Sequence, residues 1–153
     1  MDSTLVTRAP LRALTVRHIG PYPEIGAAFA RLESAIDASG VLTSPAPLVA
    51  LYHDNPETTP ASALRSDAGI LVDEKISVPS TLHDTTIAGG KYLHVRHLGS
   101  YEGLAGTWAD LRAQGFEAHG VRRREGPAYE VYPNNPGNAA TEALITDIYV
   151  PVE

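Results

Sequence analysis

Two seven-residue stretches, VRHIGPY at residues 16 to 22 and VRHLGSY at residues 95 to 101, agree at five positions and differ at a sixth only by Ile19 against Leu98. They begin at residues 16 and 95, 79 positions apart, about half of a 153-residue chain. A near-copy at half-length restricts the chain to folds built from two like halves, because each copy has to meet an equivalent local environment.

The copy extends in both directions. After Tyr22, PEIGAAFARLESAIDASG sets Ile25, Ala28, Phe29, Leu32 and Ile36 at helical spacing before the stop at Gly40. After Tyr101, EGLAGTWADLRAQGF sets Leu104, Ala105, Trp108 and Leu111 on one stripe, and at the same offset Trp108 falls on Phe29 and Leu111 on Leu32. Upstream, LRALTVRHI and KYLHVRHL alternate as strands do, pairing Leu14 with Val16 and Leu93 with Val95 on one face. Downstream, PLVALYHDNP matches AYEVYPNNP with the offset grown to 80, aligning Leu51 with Val131, Tyr52 with Tyr132, Asn55 with Asn135 and Pro56 with Pro136. AGILVDE then answers ITDIYVPVE, each a β-branched run.

The pattern predicts an α+β domain in which a β-α-β-β module is used twice, once over about residues 8–76 and again over about 90–153. A connecting segment of about 77–89 holds Pro79 and the start of a Gly pair. A three-stranded sheet covered by one helix leaves its second face bare. Two copies paired edge to edge about a pseudo-twofold axis give one antiparallel sheet with both helices on one face and a groove on the other. Such a groove is a common ligand position, and it is symmetric unless particular residues break the symmetry.

One departure from the repeat carries charge. Glu130 stands where the first half has Ala50, both two positions before the matched Tyr132 and Tyr52. Alternation groups Ala128, Glu130 and Tyr132 on one face, and Leu48, Ala50 and Tyr52 on the corresponding one. With Val49, Leu51 and Val131 assigned to the helices, Glu130, Tyr52 and Tyr132 look into the groove. The competing reading is a glutamate on an ordinary solvated sheet face. A carboxylate among apolar and aromatic groups is costly to desolvate and calls for a cation, and a flat cation that also stacks on tyrosine gains about 0.5–2 kcal/mol per contact.

Composition removes several classes. With 12 Lys and Arg against 18 Asp and Glu, the net charge of −6 argues against direct DNA binding, which needs a clustered positive face. The one basic run, Arg122, Arg123 and Arg124, is followed by Glu125 and reads as a solvated loop. With no cysteine there is no disulfide, thiolate nucleophile or Cys-based zinc site. His94 and His97 are three apart on a strand, hence on opposite faces, so no metal pair is expected, and no cofactor either. The start, MDSTLVTRAPLRAL, lacks a secretion signal and no window is apolar enough for a membrane helix, so a cytoplasmic protein without a membrane partner is expected.

Other residues stay open between two readings. His18 and His97 sit beside Gly20 and Gly99 and either brace those turns or take part in chemistry. Trp108 is either core packing in place of Phe29 or a wall of the groove. Tyr22 and Tyr101 either cap the helices or fold over the cleft.

The doubled VRHxGxY, the strand YEVYPNNP and the closing TDIYVPV together resemble the GyrI-like small-molecule-binding family, over about residues 10 to 152. That family also supplies the effector-binding domain of AraC-type and MerR-type multidrug regulators. The resemblance implies SHS2-type modules around a cleft whose glutamate, matching Glu130, meets aromatic or cationic ligands. It is similar to the stand-alone SbmC/GyrI-like branch, and it implies a small-molecule binder with Glu130, Tyr132, Tyr52, Tyr101, Tyr22 and Trp108 around the ligand. The resemblance also permits a hydrolase that detoxifies cyclopropane-bearing DNA-alkylating compounds. Glu130 would then act as general base or electrostatic partner and a hydroxyl from Tyr132, Tyr52 or Tyr101 as donor. A third implication is a protein partner, DNA gyrase.

Overall fold

A computed structural model describes residues 2–42 and 44–153. The chain forms two compact units, one spanning Pro10–Ala88 and the other Gly89–Glu153 together with the described residues up to Ala9. Each is an antiparallel four-stranded sheet with helical structure packed on it.

In the first unit the strands are β2 (Leu11–Ile19), β3 (Leu48–Tyr52), β4 (Arg65–Val72) and β5 (His83–Ile87), in the order β3-β4-β2-β5. Helix α1 (Gly26–Ser39) ends at Gly40, whose φ of 62° is a left-handed conformation that a side chain disfavours. The second unit holds β1 (Ser3–Arg8), β6 (Gly90–Leu98), β7 (Ala128–Tyr132) and β8 (Ile145–Pro151), in the order β1-β6-β8-β7. Its helical stretch is α2 (Leu104–Asp110), a π turn (Leu111–Gly115) and α3 (Phe116–His119), closed by Gly120 at φ 62°.

That π turn explains why the repeat offset grows from 79 to 80. Leu32 and Ile36 are four apart in α1, whereas Leu111 and Phe116 are five apart around the π turn, so a single extra residue is absorbed as a widened turn. Each unit also contains a strand beyond the expected module. His83–Ile87, inside the segment read as a connection, pairs with β2, and Ser3–Arg8 pairs with β6. Both are short, Thr-rich edge strands: Pro79 and the Gly89–Gly90 pair masked the one at 83–87 in the sequence pattern, and Pro10 bounds the one at 3–8.

The core of each unit lies between sheet and helix. Leu14, Leu32, Ile70 and Leu82 are buried together in the first, with Leu48, Val16 and Phe29 packed against them. Leu93, Val95, Leu111, Ala128, Ile148, Val150 and Val152 are buried together in the second, with Leu104, Trp108 and Phe116 packed against them. These clusters correct one expectation. Leu48 and Ala128 face their helices, so strand alternation turns Ala50, Tyr52, Glu130 and Tyr132 toward the helical side and Val49, Leu51 and Val131 away from it. The sequence misled because both faces of β3 are buried: Val49 and Ala50 are 0% exposed and Leu51 1%, so apolarity does not mark the covered side.

The doubled heptapeptide is a structural device. Val16 and Val95 pack in the cores. Gly20 and Gly99 turn the chain at φ 134° and 105°, and their amides donate to the carbonyls of Leu64 and Leu144, both at 2.8 Å. His18 Nε2 meets the Pro21 carbonyl at 3.1 Å and His97 Nε2 that of Ser100 at 2.8 Å, while His97 Nδ1 also meets Thr107 Oγ1 at 2.8 Å. This geometry braces the turn in front of each helix.

The arginine run lies in a loop with Arg122 and Arg123 exposed, and its side chains are nonetheless bonded. Arg122 pairs with Glu153, Arg123 donates to the carbonyls of Arg124, Gly126 and Pro151, and Arg124 donates to those of Val152 and Lys91. The run thereby straps the last strand to its neighbour, and burial, with Arg124 adding repulsion, lowers the Arg123 guanidinium pKa.

Gly69 of β4 has no room for a side chain. A Cβ there would stand 3.0 Å from Thr15 Cγ2, 3.1 Å from Val49 Cγ1 and 3.2 Å from the Leu14 carbonyl oxygen. Gly69→Ala is expected to lower stability by roughly 1–3 kcal/mol in urea titration, because β-branched neighbours and backbone cannot move aside cheaply.

Candidate functional site

Glu130 occupies the centre of β7 and is 3% exposed. Its carboxylate is fixed from two sides: Trp108 Nε1, from α2, donates to Oε2 at 2.7 Å, and the Tyr132 hydroxyl donates to Oε1 at 2.6 Å. Trp108 reaches it because the helical stripe Leu104, Trp108 and Leu111 lies over the sheet face that presents Ala128 and Glu130. Tyr101, from the 3-10 turn preceding α2, sets its ring edge-on to Tyr132 with centroids 5.8 Å apart. Burial, with the Glu130 charge adding to it, raises the Tyr101 phenol pKa, so the hydroxyl stays protonated. Among the described residues no hydrogen bond reaches it.

The first unit holds the same aromatic pair without the charge. Tyr22 and Tyr52 lie with centroids 4.8 Å apart, tilted by 59°. The Tyr22 hydroxyl donates to the Asp54 carbonyl at 2.6 Å and accepts from the Asp54 amide at 2.9 Å, so it is committed to the backbone. Where the second unit has Trp108 and Glu130, this one has Phe29 and Ala50. Four of the six residues expected around the ligand, Tyr101, Trp108, Glu130 and Tyr132, thus form one cluster, and Tyr22 and Tyr52 form another.

Two buried hydroxyls escaped the sequence reading. Ser66 and Thr146 are both 0% exposed, and their oxygens have no hydrogen-bond partner among the described residues. Ser66 lies opposite Tyr52 and Thr146 opposite His97. Two-residue alternation puts Thr146 on the same face as Ile148, which pairs with Glu130. A buried orphan donor is costly, and a polar ligand atom or water would satisfy it. Small hydroxyl residues in a β-branched run give no sequence signal of this kind.

The opposite face of each sheet carries a carboxylate with two basic partners. Asp67 accepts from Arg17 Nε at 2.6 Å and meets His53 Nε2 at 2.6 Å, while Asp147 accepts from Arg96 at 2.9 and 3.0 Å and meets His94 Nε2 at 2.8 Å. Burial pushes both carboxyls up, but the hydrogen bonds outweigh it and hold both below the usual carboxylate range. A carboxyl with a depressed folded-state pKa contributes stability that is complete above its unfolded value of about 3.9 and is lost as pH falls through the folded value. Urea midpoints measured from pH 6 down to pH 2 are therefore expected to fall below about pH 4, and less steeply in Asp147→Asn.

The chain thus pairs a duplicated α+β scaffold with an acidic aromatic cluster in one half only. Its residues 1–153 match the GyrI-like small molecule binding domain, and the chain belongs to that family. It is 31% identical over 158 residues to a DNA gyrase inhibitor of Yersinia enterocolitica, with 100% of this chain and 98% of that protein covered. The fold is shared with the EcmrR C-terminal domain, at a TM-score of 0.77 and 20% identity over 99% of this chain and 97% of that one. It is shared also with SAV2435, solved bound to tetraphenylphosphonium, at a TM-score of 0.71 and 14% identity over 100% of this chain and 94% of that one. No helix among the described residues is long and apolar enough to cross a membrane.

Proposed function

We propose that this protein captures aromatic cations at the Glu130 cluster of its second unit. The observation that carries the reading is a 3%-exposed carboxylate held at 2.7 and 2.6 Å by an indole and a phenol, where the repeat-equivalent residue is Ala50. Both of these donors are neutral and orient the carboxylate. A ligand with a positive centre and aromatic arms neutralises Glu130 while its rings meet Trp108, Tyr132 and Tyr101. Ring contacts and one charge impose little directional demand, which favours tolerance of many drug-like shapes.

Trp108 is the single tryptophan of the chain, so its emission reports on the site directly. Titration with tetraphenylphosphonium is expected to change that emission saturably. No change, and no calorimetric heat, up to about 1 mM would end the reading.

The Tyr101 hydroxyl favours a second reading, hydrolysis of an electrophilic ligand. A protonated phenol beside Glu130 could donate to a carbonyl while Glu130 acts as base on water. Incubation with a cyclopropane-bearing alkylator, followed by mass spectrometry, separates the two: product beyond one equivalent per chain establishes turnover. The name of the Yersinia relative supports a third reading, an interaction with DNA gyrase, to which a chain of net charge −6 could offer an acidic surface. A supercoiling assay with purified protein tests it.

A further inference from the structure

The second unit departs from the repeat at a further group of positions, on the strand face opposite Glu130. Tyr92, Tyr129 and Tyr149 are 2%, 1% and 8% exposed there, and their ring centroids lie between 4.9 and 6.4 Å apart. Arg8 of β1 lies with its guanidinium carbon 4.1 Å from the Tyr149 ring centre. It donates through Nε to the Tyr129 hydroxyl at 3.2 Å and through Nη1 to the Tyr149 hydroxyl at 3.1 Å. The register assigns the equivalent places in the first unit to Ala13, Val49, Gly69 and Ile87, an apolar set.

Among Arg8, Tyr129 and Tyr149 the donors outnumber the acceptors. The Tyr129 and Tyr149 oxygens each receive a hydrogen bond from Arg8, so their O–H protons point elsewhere, and among the described residues nothing accepts those two protons. Nor does Arg8 make an ion pair among the described residues. The carboxylate of Asp147, which acts electrostatically on Tyr149, is engaged by Arg96 and His94. Arg124 adds a second guanidinium, 5.3 Å from the Tyr92 ring centre. Burial pushes the Tyr129 phenol to about 12 despite Arg8, and raises that of Tyr149 as well, so both remain donors near neutral pH.

We infer that Arg8 and the hydroxyls of Tyr129 and Tyr149 form a second site, distinct from the Glu130 cluster, that binds a small oxyanion such as a carboxylate or a phosphate group. One fixed positive charge flanked by two O–H donors suits an acceptor with several oxygens, and charge-assisted hydrogen bonds are about twice as strong as neutral ones. Water would accept the two protons but leave Arg8 uncompensated.

The test follows the Arg8 side-chain Nε–H and the backbone amides of Tyr129 and Tyr149 by NMR in the full 15N-labelled chain. Inorganic phosphate and benzoate are titrated separately, against sodium chloride of matched ionic strength. A saturable shift is expected with at least one oxyanion: phosphate alone marks a phosphoryl ligand, benzoate alone an aryl carboxylate, and both an undiscriminating oxyanion site. Affinity is expected to fall about tenfold in Arg8→Gln, as loss of a charged hydrogen-bond partner predicts, and measurably in Tyr149→Phe, which keeps the ring. Shifts no larger than those from chloride, or affinities unchanged in both variants, would overturn the inference. If Arg8→Gln fails to fold, Tyr149→Phe decides alone.

Discussion

Glu130→Gln is expected to lower affinity for tetraphenylphosphonium by about 10- to 100-fold, and to leave affinity for triphenylphosphine oxide, a neutral molecule of similar shape, within about threefold. The magnitude follows from the attraction lost when a buried charged partner becomes neutral, about 1.5–3 kcal/mol. The substitution keeps the volume of the side chain and one good acceptor. It also turns an amide N–H₂ toward either the Trp108 indole N–H or the Tyr132 hydroxyl, which donate at 2.7 and 2.6 Å in the native chain. With the amide oxygen kept on the indole N–H, the N–H₂ donates to the Tyr132 oxygen and the phenol proton loses its charged acceptor, so a stability loss of about 1 kcal/mol is expected alongside the binding loss. Thermal melts of the free variant separate that cost from the affinity, which calorimetry reads well below the melting range. Equal losses for the cation and the neutral analogue would mean that Glu130 shapes the cluster rather than recognising charge.

Leu111→Ala is expected to produce the largest loss of stability, about 2–5 kcal/mol, as for other fully buried leucines. Leu111 is 0% exposed, opens the π turn and packs with Leu93, Val95, Ala128 and Ile148 beneath Trp108. For a chain of this length about 3 kcal/mol corresponds to a fall in Tm of roughly 6–12 °C. Trp108 lies one turn earlier on the same stripe, so its emission is expected to shift toward that of a more solvated indole even while the variant is folded. Leu32→Ala removes the repeat-equivalent side chain, also 0% exposed, under an ordinary α-helical turn. It is expected to cost a similar amount, and a loss below about 1 kcal/mol in either variant would contradict the packing described for that unit.

The parts of the fold legible in the chain were those governed by local periodicity. Apolar residues at helical spacing announced α1 and the helix bearing Trp108, and Gly40 marked the stop that its left-handed φ requires. Matched letters announced β2, β3, β4, β6, β7 and β8. The offset change from 79 to 80 was visible as a number, but its place, a widened turn between Leu111 and Phe116, was not. Edge strands β1 and β5 were missed, because Thr-rich segments beside Pro and Gly satisfy loop chemistry as well as strand chemistry. In the candidate site, the contrast of Glu130 with Ala50 was legible from the repeat alone. The group formed by Arg8, Tyr129 and Tyr149 was not, since Arg8 lies outside the matched segments and meets its partners only through strand pairing.

The sequence by itself determined a duplicated β-α-β-β plan, the turns that each VRHxGxY copy builds, and the residue at which the two halves differ in charge. All of these depend on neighbours within a few positions or on comparison of one half with the other. Only the tertiary structure decided which side of each strand the helix covers, and therefore that Glu130 meets Trp108 rather than the helix-free face. Alternation divides a strand into two sets of residues, but when both sets are buried it carries no label for inside, and packing between elements distant in sequence makes the choice.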